Sequence, residues 1–256
     1  MKIARFKIGG QSRFGIVEGN LVKEIAGSPL HGIDPTGTTY SLTEVTLQSP
    51  VEPSKALATI RNYPSHMVGS LGLSNAIPKE PQAFLKATSC ITGPLDTVVL
   101  DPESGRVDAE GELVVVIGSR ANNVPRDKAL EYVLGYTCGN DISAREWQRD
   151  DPQWWRAKSS DTFGPIGPWI VTGIHPGNLT LTVRINGKEI QRGSTSELIF
   201  DVPSLISHFS RFITLEPGDL IFTGTPGQTS AIGPGDFIEV EIQDIGILQN
   251  QVIVKG

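Results

Sequence analysis

Hydrophobic residues alternate with polar ones in short runs near the start of the chain. The runs are residues 3–8, 14–17 and 21–25, and the turns between them are Gly9-Gly10 and Gly19-Asn20. An alternation of period two is typical of strands that bury one face, and glycine-rich dipeptides are typical of the turns that connect such strands. We therefore predict a small N-terminal β domain in the form of a meander.

A polar segment that contains several prolines separates this meander from the rest of the chain. Its prolines stand at positions 29, 35, 50 and 53. Because proline interrupts regular structure, this segment is the best domain boundary in the sequence. We predict a small domain at residues 1–52 and a larger domain at residues 53–256.

Strand patterns dominate the larger domain. Residues 113–117 are an unbroken aliphatic run, which suits a strand that is buried on both faces. Asn186-Gly187 lies between two alternating runs and predicts a tight hairpin. Residues 201–213 carry apolar side chains at helical spacing, with Asp201 as the N-cap and Pro203 in the first turn.

The other predicted helices and strands are shorter and are consistent with a domain made mainly of strands. We expect short helices around residues 125–132 and 143–149, and closing strands near 219–223, 236–242 and 247–254. Strands outnumber helices and do not alternate regularly with them, which argues against a doubly wound sheet. The predicted fold class is mixed and mainly β, with mostly antiparallel strands and a few short helices.

The charge and composition of the chain limit the classes of molecule that it is expected to bind. A net charge of −6 leaves no basic face for phosphates, so we predict no nucleic-acid partner. No apolar run approaches the length of a membrane span, and the N-terminus lacks the apolar core of a signal peptide, so we also predict no membrane partner. Cys90 and Cys138 are expected to be free thiols in a reducing cytoplasm, with a single disulfide bridge as the alternative.

Acidic residues stand at alternate positions directly before the aliphatic run. On an extended strand Glu110 and Glu112 project to the same face, where two carboxylates repel each other unless a cation or a proton lies between them. Asp141 ends a second strand-like run, and pairing of the two runs would bring it alongside. Three oxygen ligands suit a hard ion such as Mg²⁺ or Mn²⁺. The spacing leaves open a solvated acidic edge, in which Asp108, Glu110 and Glu112 face water.

Four motifs, taken together, resemble the fumarylacetoacetate hydrolase family. They are GELVVVIG, YVLGYTCGNDISAREWQ, QWWRAKSSDTFGPIGPWIVTG and LEPGDLIFTGTPGQ, and the resemblance covers about residues 55–254. It implies a mixed β-sandwich roll with a small N-terminal β domain in front of the catalytic domain. It also implies a homodimer and a Mg²⁺ or Mn²⁺ site held by Glu110, Glu112 and Asp141.

The same resemblance implies a group of residues that bind an acidic substrate. Lys158 falls in the family's K-S-x-D-T-F segment, Arg145 and Gln148 fall in D-x-S-A-R-x-x-Q, and Thr225 falls in the G-T-P turn. For Arg145 and Gln148, a salt bridge or hydrogen bond within the protein is an equal alternative. For Thr225, the alternative is a turn residue with no ligand contact.

The catalytic histidine of the family lies in the pattern N-Y-x-x-H-x-x-E on a lid. Asn62, Tyr63 and His66 match this pattern, but Gly69 stands where the family has Glu. In hydrolytic members the His and the Glu together activate a water molecule. Glu80, on the same loop, is a candidate substitute for the missing Glu.

The missing Glu favours a reaction that needs no activated water. We expect an isomerase or tautomerase of a small 2-oxo or 2-hydroxydienoic acid, often a dicarboxylate, similar to the 2-hydroxyhepta-2,4-diene-1,7-dioate isomerases. In that reaction His66 and Lys158 are the expected catalytic residues. The alternatives are a C–C bond hydrolase, a 2-oxo acid decarboxylase, or a homologue that binds metal and ligand without catalysis.

Overall fold

The structure is a computed structural model, and it describes residues 1–67 and 77–256. Its strands are β1 (Lys2–Ile8), β2 (Gln11–Glu18), β3 (Leu21–Ile25), β4 (Pro35–Ser41), β5 (Thr46–Gln48), β6 (Ala56–Ile60), β7 (Gln82–Lys86), β8 (Ile91–Thr92), β9 (Val98–Leu100), β10 (Val107–Ala109), β11 (Gly111–Ile117), β12 (Val133–Asn140), β13 (Ser143–Ala144), β14 (Gly164–Val171), β15 (Thr180–Ile185), β16 (Lys188–Ser194), β17 (Leu220–Phe222), β18 (Ser230–Ile232), β19 (Phe237–Ile242) and β20 (Gly246–Val254).

Helices are short and few beside these strands. The α-helices are α1 (Pro64–Met67), α2 (Arg145–Asp150), α3 (Trp155–Ser159) and α4 (Val202–Ser210), and 3-10 helices lie at Pro29–His31, Thr88–Cys90, Arg126–Tyr132, Pro176–Asn178 and Thr195–Glu197. The predicted fold class, mixed and mainly β, is therefore confirmed. Within the described part of the chain, no helix combines the length and the apolar character that a membrane crossing requires.

The strands form three sheets. The large sheet has the order β4-β3-β2-β1-β14-β12-β11-β17-β6-β7, with β5 beside β1 and β8 beside β14. A five-stranded sheet has the order β16-β15-β19-β20-β9, and a small sheet has the order β13-β10-β18. The five-stranded sheet packs through β15, β19 and β20 onto β11, β12 and β14 of the large sheet, and most of the hydrophobic core lies between these two layers.

The N-terminal meander is present and continues the large sheet. Strands β1, β2 and β3 pair in sequence through the two predicted turns. In addition, β1 pairs with β14 in antiparallel orientation, with Lys2 opposite Val171 and Ile3 opposite Ile170. The first strand is therefore hydrogen-bonded on one side to β2 and on the other to β14.

The hairpin and the buried strand agree with the pattern of the sequence. Asn186 and Gly187 have φ values of 53° and 77°, as a two-residue type I′ turn between β15 and β16 requires. Every residue of β11 is buried, since β12 and β17 pair with its two edges and other elements cover its faces. This strand lies at the centre of the molecule.

The C-terminal helix is shorter than its apolar spacing predicts. Asp201 is the N-cap and accepts a hydrogen bond from the Ser204 amide, as expected, but α4 ends at Ser210. Ile213, the last apolar position of the predicted pattern, lies beyond the helix and is 37% exposed. The predicted helix near 125–132 is a 3-10 helix and packs against α4.

Asp219 joins the starts of β6 and β17, which pair in parallel orientation. It is fully buried and accepts hydrogen bonds from the Lys55 amide at 3.0 Å, the Glu216 amide at 2.6 Å and the Ser54 hydroxyl at 2.6 Å. Its second oxygen also forms an ion pair with Lys55 Nζ at 2.5 Å. The carboxylate thus serves donors from two chain segments that are far apart in sequence.

Replacing Asp219 with Ala should lower the free energy of unfolding by about 2–4 kcal/mol, because largely buried amide donors lose their acceptor. Urea unfolding of Asp219→Ala measures this loss. Asp127→Ala, at an exposed position, is the control and should change stability by less than about 0.5 kcal/mol. Equal stability of the two variants would contradict the assigned role.

Candidate active site

Three carboxylates meet where β10, β11 and β12 come together. Glu110 lies between β10 and β11, Glu112 lies on β11, and Asp141 directly follows β12. The register of β11 and β12 places Gly111 opposite Asn140, and the Asp141 amide donates to the Glu110 carbonyl at 2.8 Å. All three side chains are buried, and a ligand oxygen from each lies within 4.8 Å of the others. The strand pairing expected from the sequence thus brings them together.

Glu112 is a buried carboxyl group whose surroundings disfavour a negative charge. It accepts a hydrogen bond from the Gly224 amide at 2.6 Å, and no ion pair to it occurs among residues 1–67 and 77–256. Burial, together with the charges of Asp141 and Glu110, raises the pKa of Glu112 well above its usual value. Gly224 has a φ of 101°, which glycine adopts more readily than any other residue, so glycine is favoured at the position whose amide contacts Glu112.

Glu110 has the opposite environment. Its Oε1 accepts from Arg145 Nη2 at 2.6 Å, and its Oε2 accepts from Lys158 Nζ at 2.6 Å. Burial opposes ionisation of this carboxyl, but the charges of Arg145 and Lys158 outweigh it and hold the pKa of Glu110 well below its usual value. Neighbouring carboxylates of one site therefore differ sharply in their affinity for a proton.

Two buried lysines contact Asp141, one at each oxygen. Lys158 Nζ lies 2.5 Å from Oδ2 and also contacts Glu110, so both of its partners belong to the carboxylate triad. Lys86 Nζ donates to Oδ1 at 2.6 Å, and it also donates to the backbone carbonyls of Lys158 and of Phe163. Because its three donors are all used, Lys86 is a fixed structural cation. Lys158 is the lysine whose contacts a metal ion would compete for.

Asp108 is not part of a solvated edge. It is 2% exposed, and its carboxylate accepts from Arg106, Arg145 and Thr229. Despite burial, the hydrogen bonds from Arg106 and Thr229 and the charge of Arg145 lower the pKa of Asp108. The alternative in which this stretch faces water is wrong for all three of its acids, since Glu110 and Glu112 are buried as well.

Arg145 and Gln148 interact with the protein itself. Arg145 Nε donates to Asp108 at 2.9 Å, and Arg145 Nη1 donates to Gln148 Oε1 at 2.8 Å. Both residues also line the cavity described below. The internal ion pair that the sequence left as an alternative for Arg145 is therefore present.

Thr225 lies in the G-T-P turn with its hydroxyl oriented by a neighbour. Gln191 Nε2 donates to Thr225 Oγ1 at 3.0 Å and to the Pro226 carbonyl at 2.7 Å. Gln191 Oε1 accepts from the Gly111 amide at 3.3 Å, so this side chain connects β16 to β11 as well as to the turn. Because Thr225 Oγ1 accepts the hydrogen bond from Gln191, the hydroxyl proton of Thr225 is free to be donated to another acceptor.

His66 is on α1, and its ring reaches the carboxylates. His66 Nε2 lies 3.7 Å from Glu110 Oε1, and His66 Nδ1 lies 2.7 Å from the Gly227 carbonyl. Gly69 lies outside the described residues. Glu80 is exposed and is not among the residues that line the cavity, so its position does not favour the substitution considered from the sequence.

These side chains border one cavity of about 440 Å³. This volume is within the range of small-molecule sites. Phe84 and Trp154 form an aromatic wall, with ring centroids 5.6 Å apart at an interplanar angle of 72°. The predicted site residues that line it are Glu110, Glu112, Asp141, Lys158, Arg145, Gln148, Thr225 and His66. All eight therefore lie around the same space.

The donor set fits a hard divalent cation. Three buried carboxylates supply oxygen ligands only, and the pKa of Glu112 is raised because burial and its acidic neighbours disfavour its negative charge. A cation at this place would relieve that repulsion. The residues that would hold it are Glu110, Glu112 and Asp141.

Several residues of the site have no signal in the sequence. Lys86 ends a short strand, a position where lysine is ordinarily solvated, and Gln191 lies on an alternating strand of ordinary composition. Asn140 accepts from the Glu110 amide through its side chain at 2.9 Å. In the sequence, the only indication for Asn140 is its place inside the motif YVLGYTCGNDISAREWQ.

Comparison with known proteins identifies relatives along the whole chain. Residues 55–253 match the sequence profile described as "Fumarylacetoacetate (FAA) hydrolase C-terminal", and residues 1–50 match the one described as "Rv2993c-like, N-terminal". The chain is 39% identical over 223 residues to the human protein named "Oxaloacetate tautomerase FAHD2A, mitochondrial", covering 82% of this chain and 70% of that relative.

Solved structures with the same fold include enzymes with different names. The structure of a 5-carboxymethyl-2-hydroxymuconate delta-isomerase from Mycobacterium smegmatis superposes with a TM-score of 0.93 at 39% identity and covers 100% of both chains. Maleylpyruvate hydrolase from Sphingobium sp. SYK-6, in complex with manganese(II) and pyruvate, superposes with a TM-score of 0.82 at 30% identity and also covers 100% of both chains.

Lys86→Met should lower the free energy of unfolding by about 3–5 kcal/mol, because it leaves one oxygen of the buried Asp141 carboxylate and two carbonyls without their donor. Thermal or urea unfolding in the presence of a chelator isolates this effect from any bound metal. Lys79→Met, at an exposed position, is the matched control. A stable Lys86→Met protein would show that this ammonium is not needed to bury Asp141.

Proposed function

Because the chain belongs to the fumarylacetoacetate hydrolase family, we propose that it is a tautomerase or isomerase that uses Mg²⁺ or Mn²⁺ and acts on a small 2-oxo or 2-hydroxydienoic acid. The observation that supports this proposal best is the buried triad of Glu110, Glu112 and Asp141 beside Lys158 and His66. The names of the human oxaloacetate tautomerase and of the mycobacterial isomerase agree with this reaction class.

The side chains of the cavity have separate tasks in such a reaction. When bound, a divalent cation supplies Lewis acidity that stabilises the negative oxygen of an enolate. Lys158 provides a positive charge for an acid group, and the Thr225 hydroxyl provides a hydrogen-bond donor. His66 Nε2 is the group that moves a proton between carbon and oxygen of the substrate. Phe84 and Trp154 limit the access of water on one side.

Arg145 and Gln148 complete the proposed substrate site. Arg145 is already paired with Asp108 and Glu110, so its role in binding is to present a fixed positive surface to the acid. Gln148 is held by Arg145 and is oriented by it. Neither residue has to move a proton.

The second candidate is a C–C bond hydrolase, which the 30% identity to a maleylpyruvate hydrolase favours. Hydrolysis needs a carboxylate that activates water together with His66. The exposed position of Glu80 gives that role no support. Release of pyruvate from an acylpyruvate, measured beside isomerisation, distinguishes the two reactions.

We expect the protein to act as a homodimer in the cytoplasm. Leu85 on the edge strand β7 is 56% exposed, and Trp155 at the start of the neighbouring α3 is 68% exposed. These side chains provide apolar surface that a second copy would cover. Light scattering of the purified chain tests the dimer.

Removal of metal should abolish catalysis. Treatment with a chelator should stop the enol-to-keto conversion of a 2-hydroxydienoic acid or of oxaloacetate, followed by ultraviolet absorbance, and Mg²⁺ or Mn²⁺ should restore it. Conversion that continues at the full rate without metal would contradict the proposal.

The isosteric variant Glu112→Gln tests metal binding through protein stability, independently of catalysis. At about a hundred times its Kd, metal should stabilise the wild-type protein by about 2.7 kcal/mol, and Glu112→Gln should lose this gain. Without metal the variant should be at least as stable as wild type, because burial and the neighbouring carboxylates disfavour a charge at this position and the amide carries none. Thermal unfolding with and without Mn²⁺ measures both effects.

Arg106 provides a test of substrate class. Its side chain is 56% exposed and lines the cavity, while Nε and Nη2 pair with Asp108. Arg106→Gln should raise the KM for a dicarboxylate about fivefold or more and leave a monocarboxylate within about twofold, since only the longer acid carries a second charge to this guanidinium. Arg120→Gln, at a guanidinium that does not line the cavity, is the control. An equal change for both acids would remove Arg106 from substrate selection.

A further inference from the structure

The imidazole of His66 is held at one nitrogen and open at the other. His66 Nδ1 is 2.7 Å from the Gly227 carbonyl oxygen, and His66 Nε2 faces the cavity, 3.7 Å from Glu110 Oε1. A peptide carbonyl can only accept a hydrogen bond. Nδ1 must therefore carry the proton of the neutral ring, and Nε2 has the free electron pair.

Gly227 is itself held through its amide by the residue next to His66. The Gly227 amide donates to Ser65 Oγ at 3.0 Å, so Ser65 and His66 contact the two sides of one glycine. Gly227 has φ 64°, a conformation in which glycine is favoured. Helix α1 is thus attached to the turn after Thr225 by two hydrogen bonds.

The other end of this segment is attached to the same turn region. Asn62 Nδ2 donates to the Thr223 carbonyl at 2.8 Å and to the Phe200 carbonyl at 3.0 Å, and Asn62 Oδ1 accepts from the Phe200 amide at 2.8 Å. Asn62 is almost fully buried. Residues 62–66 are therefore connected at both ends to residues 223–227, which also carry the Gly224 amide that contacts Glu112.

We propose that the carbonyl of Gly227, a residue whose amide donates to Ser65, takes over the orienting task of a carboxylate and fixes His66 as the tautomer with its proton on Nδ1. Ser65 and Asn62 are then positioning residues. Nε2 removes a proton from the carbon next to the oxo group, and the electron pair of that C–H bond becomes the C=C bond. The π pair of the C=O bond moves to the oxygen, and Nε2 returns the proton to that oxygen. The use of this tautomer in catalysis rests on the proposed function. The assignment of the tautomer itself rests only on the contact between His66 and Gly227.

Nitrogen NMR of the full chain with Mg²⁺ and ¹⁵N-labelled histidine tests the tautomer directly. His66→Gln assigns the signals by difference, since the chain has four histidines. We expect a protonated, pyrrole-type Nδ1 and an unprotonated, pyridine-type Nε2 at a pH where the ring is neutral. The opposite pattern overturns the inference, whether or not the protein is a tautomerase.

A double-mutant cycle tests the role of Ser65, which is exposed and whose loss should leave the fold intact. Ser65→Ala should lower kcat about two- to tenfold with KM within about twofold, as expected for one hydrogen bond. Ser65→Thr keeps the hydroxyl and should restore kcat, and Ser12→Ala on the exposed first hairpin is the matched control.

In the His66→Gln background, Ser65→Ala should cause no further loss, because there is no longer an imidazole to orient. Equal losses in both backgrounds would show that Ser65 acts on stability alone and would overturn its positioning role. Full activity of His66→Gln would contradict the proton transfer assigned to His66 in the proposed function, and the NMR result would stand independently of it.

Discussion

The two oxygens of Asp141 each face a different lysine, and this arrangement makes the rest of the site possible. Taking a carboxylate out of water costs several kcal/mol unless a cation accompanies it. Lys86 meets this cost permanently, because its remaining donors are used by backbone carbonyls. Asp141 can therefore stay buried whichever cation, Lys158 or a metal ion, is found at its other oxygen.

The other charged groups of the cavity also differ in whether a side chain of the protein already neutralises them. Asp108, Arg145 and Gln148 form a network whose members neutralise or orient one another. Glu112 stands outside it with a single backbone donor and a raised pKa. In the described part of the chain Glu112 has no ion pair, and a cation beside it would relieve the repulsion from Asp141 and Glu110.

Local patterns predicted a large part of the fold and of the carboxylate triad. The two-residue period placed Glu110 and Glu112 together, and the antiparallel pairing of β11 with β12 brought Asp141 to them. Family motifs pointed to Lys158, His66 and Thr225. Lys86 and Gln191 were missed because their partners are carbonyl and hydroxyl groups from distant segments, which leave no periodic trace. Asp108 looked like its neighbours in sequence, and its environment depends on Arg145, which is 37 residues away.

The pairing of β1 with β14 has a consequence for the edge of the large sheet. On that side Ile170 and Val171 pair with Ile3 and Lys2, the third and second residues of the chain. Without the meander, β14 would expose unpaired amide and carbonyl groups beside a hydrophobic core, which is the kind of surface on which sheets of separate molecules join. By pairing with β14, the first strand of the chain removes an edge of this kind from the large sheet.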